Sequence, residues 1–427
     1  MSLPAQLNFG NGAKLKTPSV RAVSVQHAVT PSNGTSFADG SMISWDIPCG
    51  SRDTFLDPAF TTLNFDVTFT VGGTSANVQA LGYDFWNSLN LYSSQGSTLI
   101  ESIGQNYNEL ARALRMLCSS ANNALTGDTL TLDQQFGYPN NANLHPTGTT
   151  VSYSIPLISI LGTLTAGSLF LPIGCLSSSI RLDMGLATAV QALAGTAASS
   201  VAPVSFVISN ATLNINLITI SSIASAQLSE LVGSNFSFNS TKWSCFRNSI
   251  AGGPTSQSLV LSARYDSLRS IICAQRLTAS QETLTAYSFE SCRNNLSSYS
   301  FRLGASPVNE KPVLADKPAA YNEVRKLFGD VTSLSHPTLL SSATYINNTG
   351  ATAVAANASP GSYLFGASLE PFSSVQNLLS GSSSMSSNLY LDLVFSTAPA
   401  SACLDAFFET DNLITINKDS GTMQVSF

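Results

Sequence analysis

Leu63-Asn64-Phe65-Asp66-Val67-Thr68-Phe69-Thr70-Val71 alternates apolar and polar side chains without a break. Successive side chains of a β-strand point to opposite faces, so this run reads as a strand with one apolar and one wet face. A helix would scatter the same large apolar residues around its circumference. The period of two recurs along the chain: Ile43, Trp45 and Ile47; Ile180, Leu182 and Met184; Leu213, Ile215 and Leu217; Leu259, Leu261, Ala263 and Tyr265; Tyr299, Phe301 and Leu303; Leu389, Leu391, Leu393 and Phe395. The chain closes on a hairpin pattern, with Ile414 and Ile416, a turn through Asp419, Ser420 and Gly421, then Met423, Val425 and Phe427. Each such strand must bury its apolar face against a second sheet, so the expected fold is all-β, with sheets packed face to face.

Composition supports this. Only 10% of the 427 residues are charged, against about 25% in ordinary globular chains. Ser, Thr, Asn, Ala and Gly fill the gap, a mixture suited to strands and polar turns and poor for long surface helices. A surface so sparse in charge also suits packing against further copies of itself. The net charge of −6 argues against nucleic-acid binding by the chain as a whole. Eleven of the 19 Lys and Arg residues fall between Lys242 and Lys326. The first 38 residues carry Lys14, Lys16 and Arg21 and no acid. These residues read as part of a solvated arm over 1–40, with contact to a polyanion or membrane surface as the secondary reading.

Two helices interrupt the strands. Ile103, Tyr107, Leu110, Leu114 and Leu117 predict one from Ser102 to Leu117. Pro318 as a first turn and Gly329 as a C-cap predict another from Pro318 to Phe328. A weaker third covers Ala224 to Leu231. Tyr107-Asn108-Glu109-Leu110 is echoed by Tyr321-Asn322-Glu323-Val324, about half the chain later. Ile180-Arg181-Leu182-Asp183-Met184 is echoed by Leu389-Tyr390-Leu391-Asp392-Leu393 at nearly the same offset. Two echoes in one order imply duplicated architecture. Long loops follow each helix, Ser119 to Thr150 and Thr332 to Gly361, and read as surface excursions.

No residue set assembles into catalytic machinery. His27, His145 and His336 read as exposed arm or loop residues, and no G-x-S-x-G elbow, H-E-x-x-H pair, Walker loop or EF-hand is present. Glu101 with Glu109, or Glu282 with Glu290, could pair in space as a glycosidase would require. Their simpler reading is solvation on a helix or strand edge. Trp45, Trp86 and Trp243 read as core rather than as a sugar platform. Seven cysteines without any C-x-x-C pair read as free, mostly buried thiols rather than a zinc site or disulfide framework. The apolar stretch from Ile155 to Cys175 is cut by Pro156, Gly162, Gly167 and Pro172, which disfavours a membrane span. The beginning of the chain lacks the basic and apolar regions of a signal peptide. No catalytic, cofactor or metal-binding residue is therefore expected.

The order of elements resembles the double jelly-roll major capsid proteins of the Polinton, virophage and adintovirus-like DNA viruses. The residues that carry the likeness are the Leu63–Val71 strand, Phe85-Trp86-Asn87-Ser88-Leu89-Asn90-Leu91-Tyr92 followed by Leu99-Ile100-Glu101, Ser154-Ile155-Pro156-Leu157, and Leu171-Pro172-Ile173-Gly174. In the second half, Tyr299 to Gly304, Pro318 to Phe328, Gly366-Ala367-Ser368-Leu369 and the terminal hairpin match in order. The resemblance implies two tandem jelly rolls with one short helix in each half, over 41–222 and 223–427, behind the arm. It implies a non-enzymatic shell protein of the virion that trimerises into pseudo-hexameric capsomers and tiles an icosahedral shell. Neighbouring trimers and penton or minor capsid proteins would be its partners, with the genome or an inner membrane touched by the arm. The alternative from another class is a secreted or surface β-sandwich adhesin, which binds glycans as a monomer.

Overall fold

A computed structural model describes residues 21–72, 77–93, 98–118, 145–164, 170–195, 204–281, 291–327, 345, 363–370 and 381–426. The first half contributes eight principal strands: β1 (Ala22–Val29), β2 (Met42–Ile47), β3 (Thr54–Val71), β4 (Trp86–Ser93), β5 (Thr98–Ile103), β6 (Thr150–Pro156), β7 (Ile180–Leu186) and β8 (Val204–Ile220). The second half repeats the series: β9 (Asn235–Ile250), β10 (Ser256–Leu261), β11 (Leu268–Leu277), β12 (Leu296–Leu303), β13 (split into Ser306–Pro307 and Val313–Leu314), β14 (Leu364–Ser368), β15 (Leu389–Phe395) and β16 (Ala402–Asn417). A further strand, β17 (Thr422–Ser426), pairs with the end of β16.

The strand order is the same in both halves. The first half forms the sheets β1-β8-β3-β6 and β2-β7-β4-β5, and the second forms β9-β16-β11-β14 and β10-β15-β12-β13. Within each half the antiparallel pairs nest: first with eighth, second with seventh, third with sixth, fourth with fifth. This is one long antiparallel ribbon wrapped round a core, which defines a jelly roll. Among the described residues, every ladder joins two strands between 22 and 220 or two between 235 and 426. The all-β expectation of two tandem jelly-roll sandwiches is borne out.

Alternation explains the packing. Leu63, Phe65, Val67, Phe69 and Val71 all face inward and are buried, while Asn64, Asp66 and Thr68 on the outer face are only partly covered. Phe65 is the hub of the first core, stacked on Tyr153 at 5.4 Å and edge-on to Trp86 at 5.1 Å and Phe85 at 6.0 Å. Tyr299, Phe301, Tyr363 and Phe365 play this part in the second. Trp45 and Trp86 are buried in the first core, as expected, and Trp243 is buried too, but on the outer face of β9 beside Glu409 of β16. Among the described cysteines six are free; Cys273 and Cys292 are buried and the other four are half-buried.

Three helices of nine residues or more connect the strands among the described residues: α1 (Tyr107–Cys118), α2 (Ser222–Val232) and α3 (Pro318–Lys326). Both α1 and α3 fall between the fifth and sixth strands of their rolls, so the Tyr-Asn-Glu echo marks equivalent positions. The second echo does too: Ile180–Met184 lies in β7 and Leu389–Leu393 in β15. Their aspartates each pair with an arginine, Arg181 with Asp183 at 2.8 Å and Arg302 with Asp392.

Several expectations need correction. The helix expected from Ser102 starts at Tyr107, because Thr98–Ile103 pairs with β4 and the spacing of Ile103 to Tyr107 only mimics a helical stripe. Asn106, held at φ 58°, turns the chain between the two, a conformation that Asn tolerates better than most side chains. The strand expected through Tyr265 stops at Leu261. The arm expected over 1–40 is shorter, because Ala22–Val29 pairs residue for residue with Leu213–Ile220 of β8 and Ser36–Ala38 pairs with Val207–Ser209. His27 therefore sits on a strand, not in a free arm, and His145 lies in a two-residue strand paired with Val78. His336, Glu282 and Glu290 lie outside the described residues, as do the two long loops except for residues 145–150 and Tyr345. No helix among the described residues is long and apolar enough to cross a membrane.

Truncating Phe65 to Ala is expected to cost about 3–5 kcal/mol, read as a fall in the urea midpoint. Val260→Ala, on an exposed position of β10, is expected to stay within about 0.5 kcal/mol.

Candidate functional site

Helix α1 is the element that holds the molecule together. An amphipathic surface helix buries one stripe, but here every residue from Tyr107 to Ala113 is buried, including Asn108, Glu109 and Arg112. One side packs on β4 of its own roll. The polar side meets the outer face of the second roll's β9-β16-β11-β14 sheet. The residues of that face are paired across the ladders and so project together: Arg247 opposite Asp405, Asp405 opposite Ala274, Cys245 opposite Phe407, and Phe407 opposite Ile272.

Asp405 lies at the centre, with no exposed surface. Arg247 Nε donates to its Oδ1 at 2.8 Å, and Arg276 donates to Oδ2 through Nε at 2.8 Å and Nη2 at 2.6 Å. The third partner comes from the other roll: Asn106 Nδ2 donates to Asp405 Oδ1 at 3.0 Å while Asn106 Oδ1 accepts from Arg247 Nη2 at 2.6 Å. Asn106 also opens α1, because its carbonyl accepts the first helical bond from Leu110 N at 3.0 Å. One residue thus caps a helix of the first roll and completes the charge network of the second. Burial alone would raise the Asp405 carboxyl, but Arg276 and Arg247 together outweigh it and hold it below the ordinary Asp value. Glu109 follows the opposite balance: burial dominates and raises its carboxyl, although Arg276, Arg112 and Arg247 oppose the shift.

A second contact lies at Glu101 on β5. Its Oε2 accepts from Ser159 Oγ at 2.5 Å and Ile160 N at 3.1 Å. Burial pushes its carboxyl up from 4.5 to about 7, against the pull of those hydrogen bonds and of Lys242 on β9 across the seam. Burial in turn lowers Lys242 to about 8. A third contact is Gly421, between β16 and β17, whose carbonyl accepts from Ser177 N at 3.0 Å and Ser177 Oγ at 3.2 Å. At φ 65°, a Cβ here would stand 2.6 Å from Ser177 N, so the close approach requires glycine.

The reading of Glu101 and Glu109 as solvated residues is thereby overturned: both are buried, on different elements and against different partners, because the second roll covers what a lone sandwich would leave wet. No group of three or more potential metal-binding side chains occurs among the described residues. The arrangement can clamp two sandwiches at one fixed angle. Asn106, Arg247, Arg276 and Asp405 were not singled out from the sequence. The available traces were the excess of arginine after Lys242 and one aspartate inside the apolar run Ala402-Cys403-Leu404-Asp405-Ala406-Phe407-Phe408.

Two sandwiches of one strand order, clamped in a single chain, form a double jelly roll. Neither a protein-family profile nor a curated protein sequence matches the chain. Solved structures do. The crystal structure of PBCV-1 Vp54, fitted into a reconstruction of the virophage Sputnik, superposes with a TM-score of 0.64 at 13% identity, over 97% of this chain and 99% of that one. The cryo-EM structure of the Sputnik virophage gives 0.55 at 11% identity, over 100% and 92%. The mavirus major capsid protein gives 0.51 at 10%, over 100% and 93%. At such identities the likeness establishes the fold, over more than nine-tenths of each chain.

Asp405→Ala would leave two arginines in the seam without their carboxylate, two of whose three hydrogen-bonding partners are those guanidiniums. The expected loss is about 3–5 kcal/mol, measured by chemical denaturation. Glu101 supplies a pH test. Its folded pKa lies above its unfolded one, so its stabilising share is complete below 4.5 and is lost as pH rises through about 7. Wild type should therefore lose stability over that window relative to Glu101→Gln; parallel urea midpoints for the two proteins would contradict it.

Proposed function

We propose that this protein is a viral major capsid protein whose two rolls form one tile of an icosahedral shell. The observation that carries the reading is the repetition of one eight-strand order, locked by a buried seam. A rigid chain with two like bodies offers two like edges, and three such chains make a near-hexagonal capsomer. The solved structures that share the fold over more than nine-tenths of both chains include the mavirus and Faustovirus major capsid proteins.

The outer faces support lateral packing. They are laced by hydroxyl and amide bonds rather than like charges: Thr68 with Thr150 at 2.8 Å, Ser24 with Asn216 at 2.7 Å, Ser237 with Thr415 at 3.2 Å. Such faces approach one another without strong repulsion, and weak contacts become effective through symmetric repetition. In this reading, residues up to about Arg21 form the arm, the first roll runs from β1 to β8 and the second from β9 to β17, with α2 as the link. The arm's Lys14, Lys16 and Arg21 would face the genome or an inner membrane, the chain would reside in the virion shell, and penton or minor capsid proteins would complete the vertices.

Sedimentation velocity tests the reading. The purified chain is expected to sediment at three times the 44.8 kDa chain mass, with a hexagonal outline in negative stain. A stable monomer that binds glycans would overturn it in favour of an adhesin.

A further inference from the structure

A cavity of about 260 Å³ lies where the two rolls meet the linker α2. The first roll lines it with Arg52, Phe55 and Cys175, and α2 with Ser225 and Leu228. The second roll adds Phe236 and, from the turn between β16 and β17, Lys418 and Asp419. The volume exceeds the roughly 150 Å³ of a cavity that holds benzene and falls short of the roughly 300–1,000 Å³ of drug-sized sites. It has room for one small ligand.

The walls are anchored by backbone. Gly174 packs so closely on the Ser51 carbonyl that a Cβ would stand 1.9 Å from its oxygen, which sets Cys175 beside Arg52. Asp53 O accepts from Ile220 N at 3.1 Å, just ahead of α2, and Lys418 N donates to Ser234 O at 3.0 Å. Both cationic residues are therefore held at the rim before any ligand arrives.

Charge and apolar surface are segregated. Phe55, Leu228 and Phe236 are buried, whereas Lys418 and Ser225 are half-buried and Arg52 and Asp419 exposed. The field inside is positive. At the Cys175 sulfur, Arg52 and Lys418 each pull the thiol pKa down more than Asp53 pushes it up, although burial outweighs all three and raises it. A void left by imperfect packing is lined by apolar side chains. This cavity joins an apolar floor to two cations and a hydroxyl.

We infer that the cavity binds a phosphate-bearing amphiphile, its phosphate held by Arg52, Lys418 and Ser225 and its aliphatic stem laid against Phe55, Leu228 and Phe236. Guanidinium and ammonium groups are the donors that phosphate selects. The floor side chains carry no hydrogen-bonding group, so they suit an aliphatic stem and not the polar edge of a nucleobase. A bound molecule touches both rolls and their linker, so occupancy stabilises their mutual placement. A membrane phosphatidate and a soluble alkyl phosphate share this chemistry. The inference does not depend on the capsid reading.

Calorimetric titration of the full chain with hexyl phosphate tests it. Saturable binding is expected, with inorganic phosphate and hexanol each weaker by roughly tenfold or more. Arg52→Gln with Lys418→Gln should weaken binding by roughly a hundredfold, a factor of about ten for each charge-assisted bond lost. In wild type, hexyl phosphate should slow alkylation of Cys175 by iodoacetamide at about pH 9 and leave Cys403 unaffected, read by peptide mass spectrometry. That readout stands even if the double variant does not fold. Flotation with phosphatidic acid vesicles then assigns the source. Recruitment that the double variant loses marks a membrane lipid, and hexyl phosphate binding without recruitment marks a soluble ester. Inorganic phosphate binding as tightly as hexyl phosphate would overturn the inference, because the apolar floor would then contribute nothing. Unprotected Cys175 would overturn it too, as would a single-stranded oligonucleotide that binds more tightly and protects the same thiol.

Discussion

A carboxylate cannot be taken out of water alone, and Asp405 has no exposed surface. It is tolerated because two guanidiniums of its own sheet and one amide from the other roll reach it together. Were the first roll removed, Arg247 would lose the Asn106 side-chain carbonyl, Asp405 would lose the amide, and water would reach the buried carboxylate. The network is complete in one relative placement of the rolls and incomplete in others, so the seam fixes an angle as well as an energy. Packing of Trp243, Ile272 and Phe407 supplies the bulk of the adhesion, and the charges supply its geometry.

The same fold therefore serves two surfaces of different character. Within each roll, alternation buries an aromatic core and leaves an outer face free to be specialised. The second roll's outer face carries arginine, aspartate and tryptophan and is sealed by α1. The first roll's outer face carries Thr, Ser and Asn, held flat by bonds along the sheet. Glu109 and Glu323 show how far the duplicated text has diverged: one is buried in the seam, whereas the other bonds Lys326 at the surface. The two rolls share one strand order, and their residues decide which outer face is sealed within the chain and which stays open.

The fold class was legible because burial on one face imposes a period of two, and Leu63–Val71 carries that period undisturbed. The two echoes were legible because equivalent positions in the two rolls kept some of the same residues. β1 carries the period too, in Val23, Val25, His27 and Val29, but the acid-free stretch with Lys14, Lys16 and Arg21 around its start has the composition of an arm. The helix start at Tyr107 was hidden by Ile103, which faces the core from a strand at a spacing a helix would also use. The seam itself was beyond reach, because Asn106 and Asp405 lie 299 residues apart and meet only once two sandwiches have folded and docked. Sequence periodicity reports the faces of elements and is silent on which outer face meets which neighbour.

Hydrogen–deuterium exchange across α1 tests the central claim most directly. If the helix is sealed between the rolls, the amides of Leu110 to Ala113 exchange as slowly as those of β8 and β16, and far more slowly than those on the open side of α3. Exchange of α1 as fast as that of α3, with both sets of core strands protected, would show two sandwiches that fold without being clamped, and would contradict the account.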